Sequence, residues 1–417
     1  MGLRRGPKNT TMNKIILHLD FNSYFASVEQ QANPFLRGKA VAVGGKGRGS
    51  QLERTVITTA SRQAKDIGIK TAMSSIEAKR LVPNLKIVSG DPKKYSEITK
   101  RFLSILKRHC DVVEQFSTDE AFGELTYAAG DYFGATMIAQ IIRAEIAEEC
   151  GEYCTVSIGI APNKLVAKLA CESQKPNGLT VIPPDKVSAF VATQPLSAIC
   201  GIGPRIESRL ANIGVTSVLT LRKISLENLR HEFKSYGDWL YAAARGIGDD
   251  VVVDGKEAPK TIGHSYTFPH DLVNDVEIQT NLLALCDKVT WRMRRDGFIA
   301  GKIGIYVRYQ GFYGRGAQKN LSEPFMDGLE LFSNAWKLLS TIRNKNLPIR
   351  LLGVRASGLI KTNIPAHLFP KQNKVHKTLK ALDTLQTRYG AGVWMRASTM
   401  NTNFYERTSG WHYDHEI

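Results

Sequence analysis

Val112-Val113-Glu114-Gln115-Phe116-Ser117-Thr118-Asp119-Glu120-Ala121-Phe122-Gly123-Glu124-Leu125 reads as two short apolar strands around an acidic turn. Asp119 and Glu120 then stand at or beside the tip of a hairpin, where the alternation of strand faces relaxes enough for both acids to approach one point. A third acid, Asp20, closes the apolar run Ile15 to Leu19, at a strand-to-helix junction ahead of the helical spacing in Phe21 to Glu29. Mg²⁺ prefers oxygen ligands and is held by a few carboxylates plus substrate phosphates, so acids at neighbouring strand ends suit a two-metal phosphoryl-transfer site. An isolated Asp-Glu pair is most often a solvated turn. Here the apolar strands before Asp20 and Asp119 make an unpaired carboxylate costly, which favours a partner cation.

Outward from the hairpin, an alanine- and isoleucine-rich helix around 134 to 149 precedes Thr155 to Ile160, a further buried strand, and Pro162-Asn163-Lys164 opens the next helix. Helix and strand alternate, so the fold class is α/β. The glycine-rich stretch Gly44 to Gly49 leads into Val56-Ile57-Thr58-Thr59 and a basic helix around Arg62 and Lys65, a small inserted subdomain. Prolines 183 and 184 mark a boundary before a compact helical region reaching about Gly248. From Thr261, strands at Lys302 to Tyr309 and Arg350 to Arg355 alternate with helices around 277 to 296 and 328 to 343, which predicts a four-stranded sheet with two helices. Residues 1–11 read as a basic, disordered arm and 361–417 as a tail with one amphipathic piece around Val375 to Leu385.

The 417 residues exceed what one core organises, and 43% hydrophobic content fills several. Lysine and arginine total 56 against 39 acids, a net +17 that predicts a polyanion partner such as nucleic acid ahead of an acidic membrane. No apolar stretch approaches spanning length, no export is expected, and the location expected is cytoplasmic. Six scattered cysteines without CxxC pairs indicate neither a zinc site nor a disulfide framework, only reduced thiols.

Three blocks, Asp20-Phe21-Asn22-Ser23-Tyr24-Phe25-Ala26-Ser27-Val28-Glu29, Phe116 to Phe122 and Ser157 to Lys168, resemble the Y-family lesion-bypass DNA polymerases, in family order. Lys175-Pro176-Asn177-Gly178, Gly201-Ile202-Gly203 and Thr261-Ile262-Gly263-His264 extend the match over roughly residues 12 to 360. The resemblance implies a right-hand polymerase: a catalytic α+β palm at 12–23 and 91–180, fingers at 24–90, a helical thumb with a helix-hairpin-helix at 181–250 and a four-stranded little finger at 261–360. It implies a template-directed DNA polymerase of the translesion type without proofreading, acting on primer–template DNA and deoxynucleoside triphosphates, and expected as a monomer. Asp20 and Asp119 would hold two Mg²⁺ ions with the Phe21 carbonyl, and Glu120 would complete the metal site beside the primer end.

By the same resemblance Phe25 is a steric gate under the sugar, with Tyr24 beside it among the substrate-facing residues, although packing is the reading Tyr24 favours. Lys164, at a helix start, matches the triphosphate-binding lysine. Arg62 and Lys65 stand where the family carries a tyrosine and an arginine for the triphosphate; a lysine lacks the guanidinium fork. Gly201, Gly203 and Arg205 fit a helix-hairpin-helix approaching a DNA phosphate, and Arg292, Arg294 and Arg295 beside Trp291 fit a backbone-tracking surface or a solvated helix face. Leu368 and Phe369 lie where bacterial members often carry a sliding-clamp peptide, here without its usual glutamine; a plain apolar loop reads equally well. Features of polymerase IV and polymerase V types are mixed. Two other readings are weighed: a non-catalytic polymerase-fold DNA-binding accessory protein, disfavoured by the three acids, and a nucleotide cyclase, disfavoured by the basic third domain.

Overall fold

The computed structural model describes residues 13–44, 54–255, 258–361, 370–390, 392–400 and 402. The basic arm, most of the Gly44 to Gly49 stretch, and the Leu368-Phe369 pair lie outside the described residues. Two compact units are present, one within residues 13–255 and the other mainly from 258 onward.

The first unit begins with strand β1 (Ile16–Phe21), helix α1 (Tyr24–Ala32) and strands β2 (Val41–Gly44) and β3 (Ile57–Ala60). Short helices α2 (Arg62–Asp66) and α3 (Ser75–Leu81) then lead to β4 (Lys86–Ser89). Ser61 and Ser74 cap these helices by accepting from the backbone amides of Ala64 and Glu77. These strands form a small sheet ordered β3-β2-β4 around a core of Ala42, Ile57, Ala64, Ile69 and Leu85.

Helix α4 (Pro92–His109) precedes the hairpin of β5 (Val112–Gln115) and β6 (Glu120–Glu124). Then come α5 (Thr126–Ala129), α6 (Tyr132–Cys150), β7 (Val156–Ala161), α7 (Lys164–Ser173) and β8 (Leu179–Val181). The five-stranded sheet runs β5-β6-β1-β7-β8, so the strand carrying Asp20 is central. Alternation sends Leu17, Leu19 and Phe21 into the core with Phe102, Ile105, Ile142 and Ile146 of α4 and α6. The opposite face receives α7, and Gly159 of β7 is what lets it settle: a Cβ there would stand 2.0 Å from the Ala167 carbonyl oxygen and 2.4 Å from the Cys171 nitrogen. Helices α8 (Val187–Ala192), α9 (Pro204–Asn212), α10 (Val218–Lys223), α11 (Leu226–Phe233) and α12 (Tyr236–Ala244) complete this unit.

The second unit has strands β9 (Thr261–Leu272), β10 (Phe298–Tyr309), β11 (Gly314–Phe325) and β12 (Ile349–Lys361), with helices α13 (Asp275–Arg295) and α14 (Gly328–Ile342). The order is β11-β10-β12-β9, antiparallel throughout. Ile303, Ile305, Leu352 and Val354 bury one sheet face with Leu282, Leu285 and Val289 of α13 and Leu331, Ala335 and Leu339 of α14. The segment read from sequence as a tail contains a full helix, α15 (Pro370–Tyr389). It belongs to this unit: Leu379 is buried, and Asp383 takes two hydrogen bonds of 2.7 Å from Arg294.

Candidate active site

Cross-strand register sets Asp20 of β1 opposite Glu120 of β6 and Ser157 of β7, and the Phe21 amide donates to the Asp119 carbonyl at 3.0 Å. The hairpin and the central strand thereby bring the three acids to one sheet end. Asp119 is steadied by its own turn, its carboxylate accepting from the Ser117 hydroxyl at 2.5 Å. Burial pushes the Asp20 carboxyl up to about 6 against the pull of the Lys175 ammonium, which lies 2.7 Å away. Burial raises Asp119 as well, with the Ser117 bond opposing it. Desolvated aspartates attract cations, and Lys175 already occupies one edge of Asp20.

Glu120 sits in a different field. Burial works upward on it, yet the His18 hydrogen bond and the Lys168 charge outweigh that and hold it down at about 2. His18 lies two residues before Asp20, hence on the same strand face, and its Nε2 is 3.0 Å from the Glu120 carboxylate. Burial lowers the imidazole pKa against the opposing Glu120 bond, and because a carboxylate only accepts, Nε2 carries a proton. The Nδ1 has no hydrogen-bond partner among the described residues. Lys168 of α7 closes on Glu120 from the helix side.

Lys164, which the sequence reading assigns to an incoming phosphate, stands at the start of α7 among carboxylates. Its ammonium pairs with Glu114 at 2.6 Å and Asp249 at 3.1 Å, and these carboxylates raise its pKa although burial lowers it. The cation against Asp20 is Lys175, from the loop after α7; the sequence shows its Lys-Pro-Asn-Gly block but nothing that aims the side chain. His18 and Lys168 were missed for the same reason, although the two-residue step from His18 to Asp20 was legible. Lys65 is exposed at its residue surface, yet partial desolvation lowers its pKa; Lys175 lowers it further while Asp20 and Asp119 oppose, so it shares the acids' field. Arg62 is exposed and 3.7 Å from Asp66, one turn along its own helix.

Phe25 is nearly buried, its ring stacked on Tyr95 with centroids 4.3 Å apart, so its position is fixed. Tyr24 is a packing residue and not substrate-facing: it is 2% exposed, and its hydroxyl donates to the Tyr95 carbonyl at 2.6 Å. Phe21 buries its ring against Phe102 and Tyr24, anchoring the end of β1. Among the described residues no group of three or more His, Cys, Asp or Glu side chains gathers as a metal cluster. Two desolvated aspartates short of a full ligand set suit a hard divalent cation whose remaining ligands are substrate phosphates.

Away from the acids, Gly201 requires its glycine: φ is +114°, and a Cβ would meet the Trp239 ring at 2.6 Å. Gly203 caps α9 with open space where a Cβ would stand, and Arg205 is exposed beside it. In the second unit Arg292 is buried and donates to the Gly263 carbonyl at 3.2 Å, Arg294 is held by Asp383, and Arg295 lies 2.9 Å from Asp296 with its guanidinium over Trp291. The expected backbone-tracking surface is therefore corrected: Arg292 and Arg294 are spent inside the unit, because the apolar face of α13 turns them inward. The uncovered sheet face instead forms a trough of about 650 Å³, floored by Gly263, Gly304, Gly316 and Gly353 and bordered by Tyr306 and Arg355. Among the described residues no helix is long and apolar enough to cross a membrane.

Residues 19–172 match the model of the impB/mucB/samB family, and 259–367 match that family's C-terminal domain. A DNA polymerase IV of Desulfatibacillum aliphaticivorans is 34% identical over 91% of this chain and 95% of its own length. One of Xanthomonas campestris is 39% identical over 72% and 81%, and one of Methanoculleus marisnigri 34% over 84% and 96%. Among solved structures, a Y-family DNA polymerase chimera built on Dbh superimposes with a TM-score of 0.75 at 26% identity, covering 84% of this chain and all of that one. An insertion ternary complex of Dbh DNA polymerase gives 0.58 at the same identity and coverage. With the acids at one sheet end, these likenesses decide the matter: the chain belongs to the impB/mucB/samB family, the Y-family DNA polymerases.

Proposed function

We propose that the chain is a template-directed DNA polymerase of the translesion type, adding deoxynucleotides to a primer 3′ end without proofreading, in damage tolerance. The observation carrying this is the pair of desolvated aspartates, Asp20 and Asp119, at adjoining strand ends with the Lys175 ammonium against one of them. Asp20, Asp119 and the Phe21 carbonyl are the groups that would hold two Mg²⁺ ions, which when bound neutralise charge on the transferring phosphoryl group and activate the primer hydroxyl. Lys175 and Lys65 supply positive charge where the triphosphate would lie, with Arg62 at the exposed edge. Glu120, kept ionised by His18 and Lys168, adds fixed negative charge beside the primer end. Phe25, backed by Tyr95, blocks space that a ribose 2′ hydroxyl needs.

DNA binding follows from open amides and cations. Gly203 and Arg205 at the start of α9 suit a phosphate. The glycine-floored trough with Arg355 suits a backbone lying across the sheet. A cytoplasmic location and a monomeric state go with this role, and clamp docking through Leu368 and Phe369 is part of the same proposal. The test is primer extension with Mg²⁺ and four deoxynucleotides, comparing wild type with Asp119→Ala and Glu120→Ala, with DNA affinity followed by fluorescence anisotropy. Extension by wild type alone, with affinity retained in both variants, is expected. Synthesis persisting in both variants sinks the site, and a wild type that binds DNA without extending it points to a non-catalytic accessory protein.

A further inference from the structure

The loop between α7 and β8 must hold Lys175 against Asp20 although Gln174, Lys175, Pro176 and Asn177 are all exposed. Its base is tied to the sheet: the Ile158 amide donates to the Gly178 carbonyl at 2.9 Å, and the Gly178 amide reaches the Ser157 hydroxyl at 3.4 Å. Its tip has another anchor. Arg143, on α6, donates through one terminal nitrogen to the Asn177 carbonyl oxygen at 2.9 Å and to the Asn177 side-chain oxygen at 2.7 Å. Asn177 has a φ of +58°, a left-handed conformation that asparagine tolerates and that an external bond helps to hold. Beside this contact lies a recess of about 370 Å³ lined by Arg143, Gln140, Ala144 and Asn177, so a released loop has room to shift.

We propose that Arg143 is a positioning residue for nucleotide binding: by gripping Asn177 it fixes the loop that carries Lys175, two residues upstream, at the triphosphate end of the site. The inference rests on the polymerase reading above. Arg143 belongs to a helix that contributes none of the acids or cations of the site, and nothing in its sequence neighbourhood points to substrate. Its effect is on binding, because an exposed loop without its tip anchor samples positions in which the Lys175 ammonium is away from the phosphates.

The test is single-nucleotide insertion on a primer–template with wild type, Arg143→Ala, Arg143→Lys, Lys175→Ala and the double variant, with melting temperature and DNA affinity measured for each. Arg143→Ala is expected to raise KM for the deoxynucleotide about tenfold with kcat nearly unchanged, the weight of one charge-assisted hydrogen bond. Arg143→Lys should recover part of the loss, since an ammonium keeps a donor but not the guanidinium's reach. If Arg143 acts through Lys175, the double variant binds nucleotide no worse than Lys175→Ala alone. An unchanged KM in Arg143→Ala, or losses that multiply in the double variant, overturns the proposal while leaving the polymerase standing. A wild type that inserts nothing overturns the polymerase reading and this inference with it.

Discussion

Single side chains decide what the acids do here. His18 reaches Glu120 from the strand face it shares with Asp20, and its ring also lies against Phe122 with centroids 4.6 Å apart. His18→Phe keeps the aromatic packing and deletes the donor, leaving a buried carboxylate with Lys168 alone. The expected result is a fall of about tenfold in kcat with KM for nucleotide retained; pre-steady-state insertion measures it, and an unchanged rate means the bond is only structural. At Phe25 the sugar is at issue. Phe25→Ala opens the space in front of Tyr95, and incorporation of ribonucleotides relative to deoxynucleotides should rise on the order of a hundredfold. Competitive incorporation reads this ratio, and unchanged sugar discrimination removes the gate from this position. Both residues were visible in the sequence, but only Phe25 had a motif around it. His18 looked like one more member of an apolar run, because a strand's pattern tells which face a side chain takes and not what stands opposite.

At the scale of elements, the site depends on how closely α7 approaches the sheet. Gly159→Ala puts a methyl group into the backbone of α7, and the helix must lift or shift. Overpacking of this kind costs about 1–3 kcal/mol, and the urea midpoint should fall accordingly. Activity should fall further than stability does, since α7 carries Lys168 and leads into the Lys175 loop; activity kept at wild-type level in a folded Gly159→Ala would show that helix placement is not critical. The hairpin and its acidic tip were legible because turn chemistry and alternation are local signals. Helix α15 was only half legible. Its amphipathic piece shows in the sequence, but its seat in the second unit depends on Arg294, 89 residues earlier in the chain.

Over the whole molecule, a net charge of +17 announces a polyanion partner without saying which cations meet it. Arg294 and Arg355 separate the two possibilities. Arg294→Ala strips the partner from a mostly buried Asp383, so the unfolding free energy should drop by about 3 kcal/mol while the salt dependence of DNA binding stays as it was. Arg355→Ala should leave stability nearly unaltered and reduce the slope of log K against log salt by about one. Anisotropy titrations across a salt series, paired with urea unfolding, check both; a flattened slope in Arg294→Ala would return that residue to the DNA surface. The sequence by itself determined the strand ends that carry Asp20, Asp119 and Glu120, the hairpin, the glycine turn before α9 and the sheet with two helices, because each rests on periodicity, caps or turn residues within a few positions. Only the tertiary structure decided that Lys175 stands against Asp20, that His18 and Lys168 hold Glu120, and that Arg292 and Arg294 face inward. A charged side chain's role is set by the partner it meets in space, and these partners come from segments that no local pattern joins.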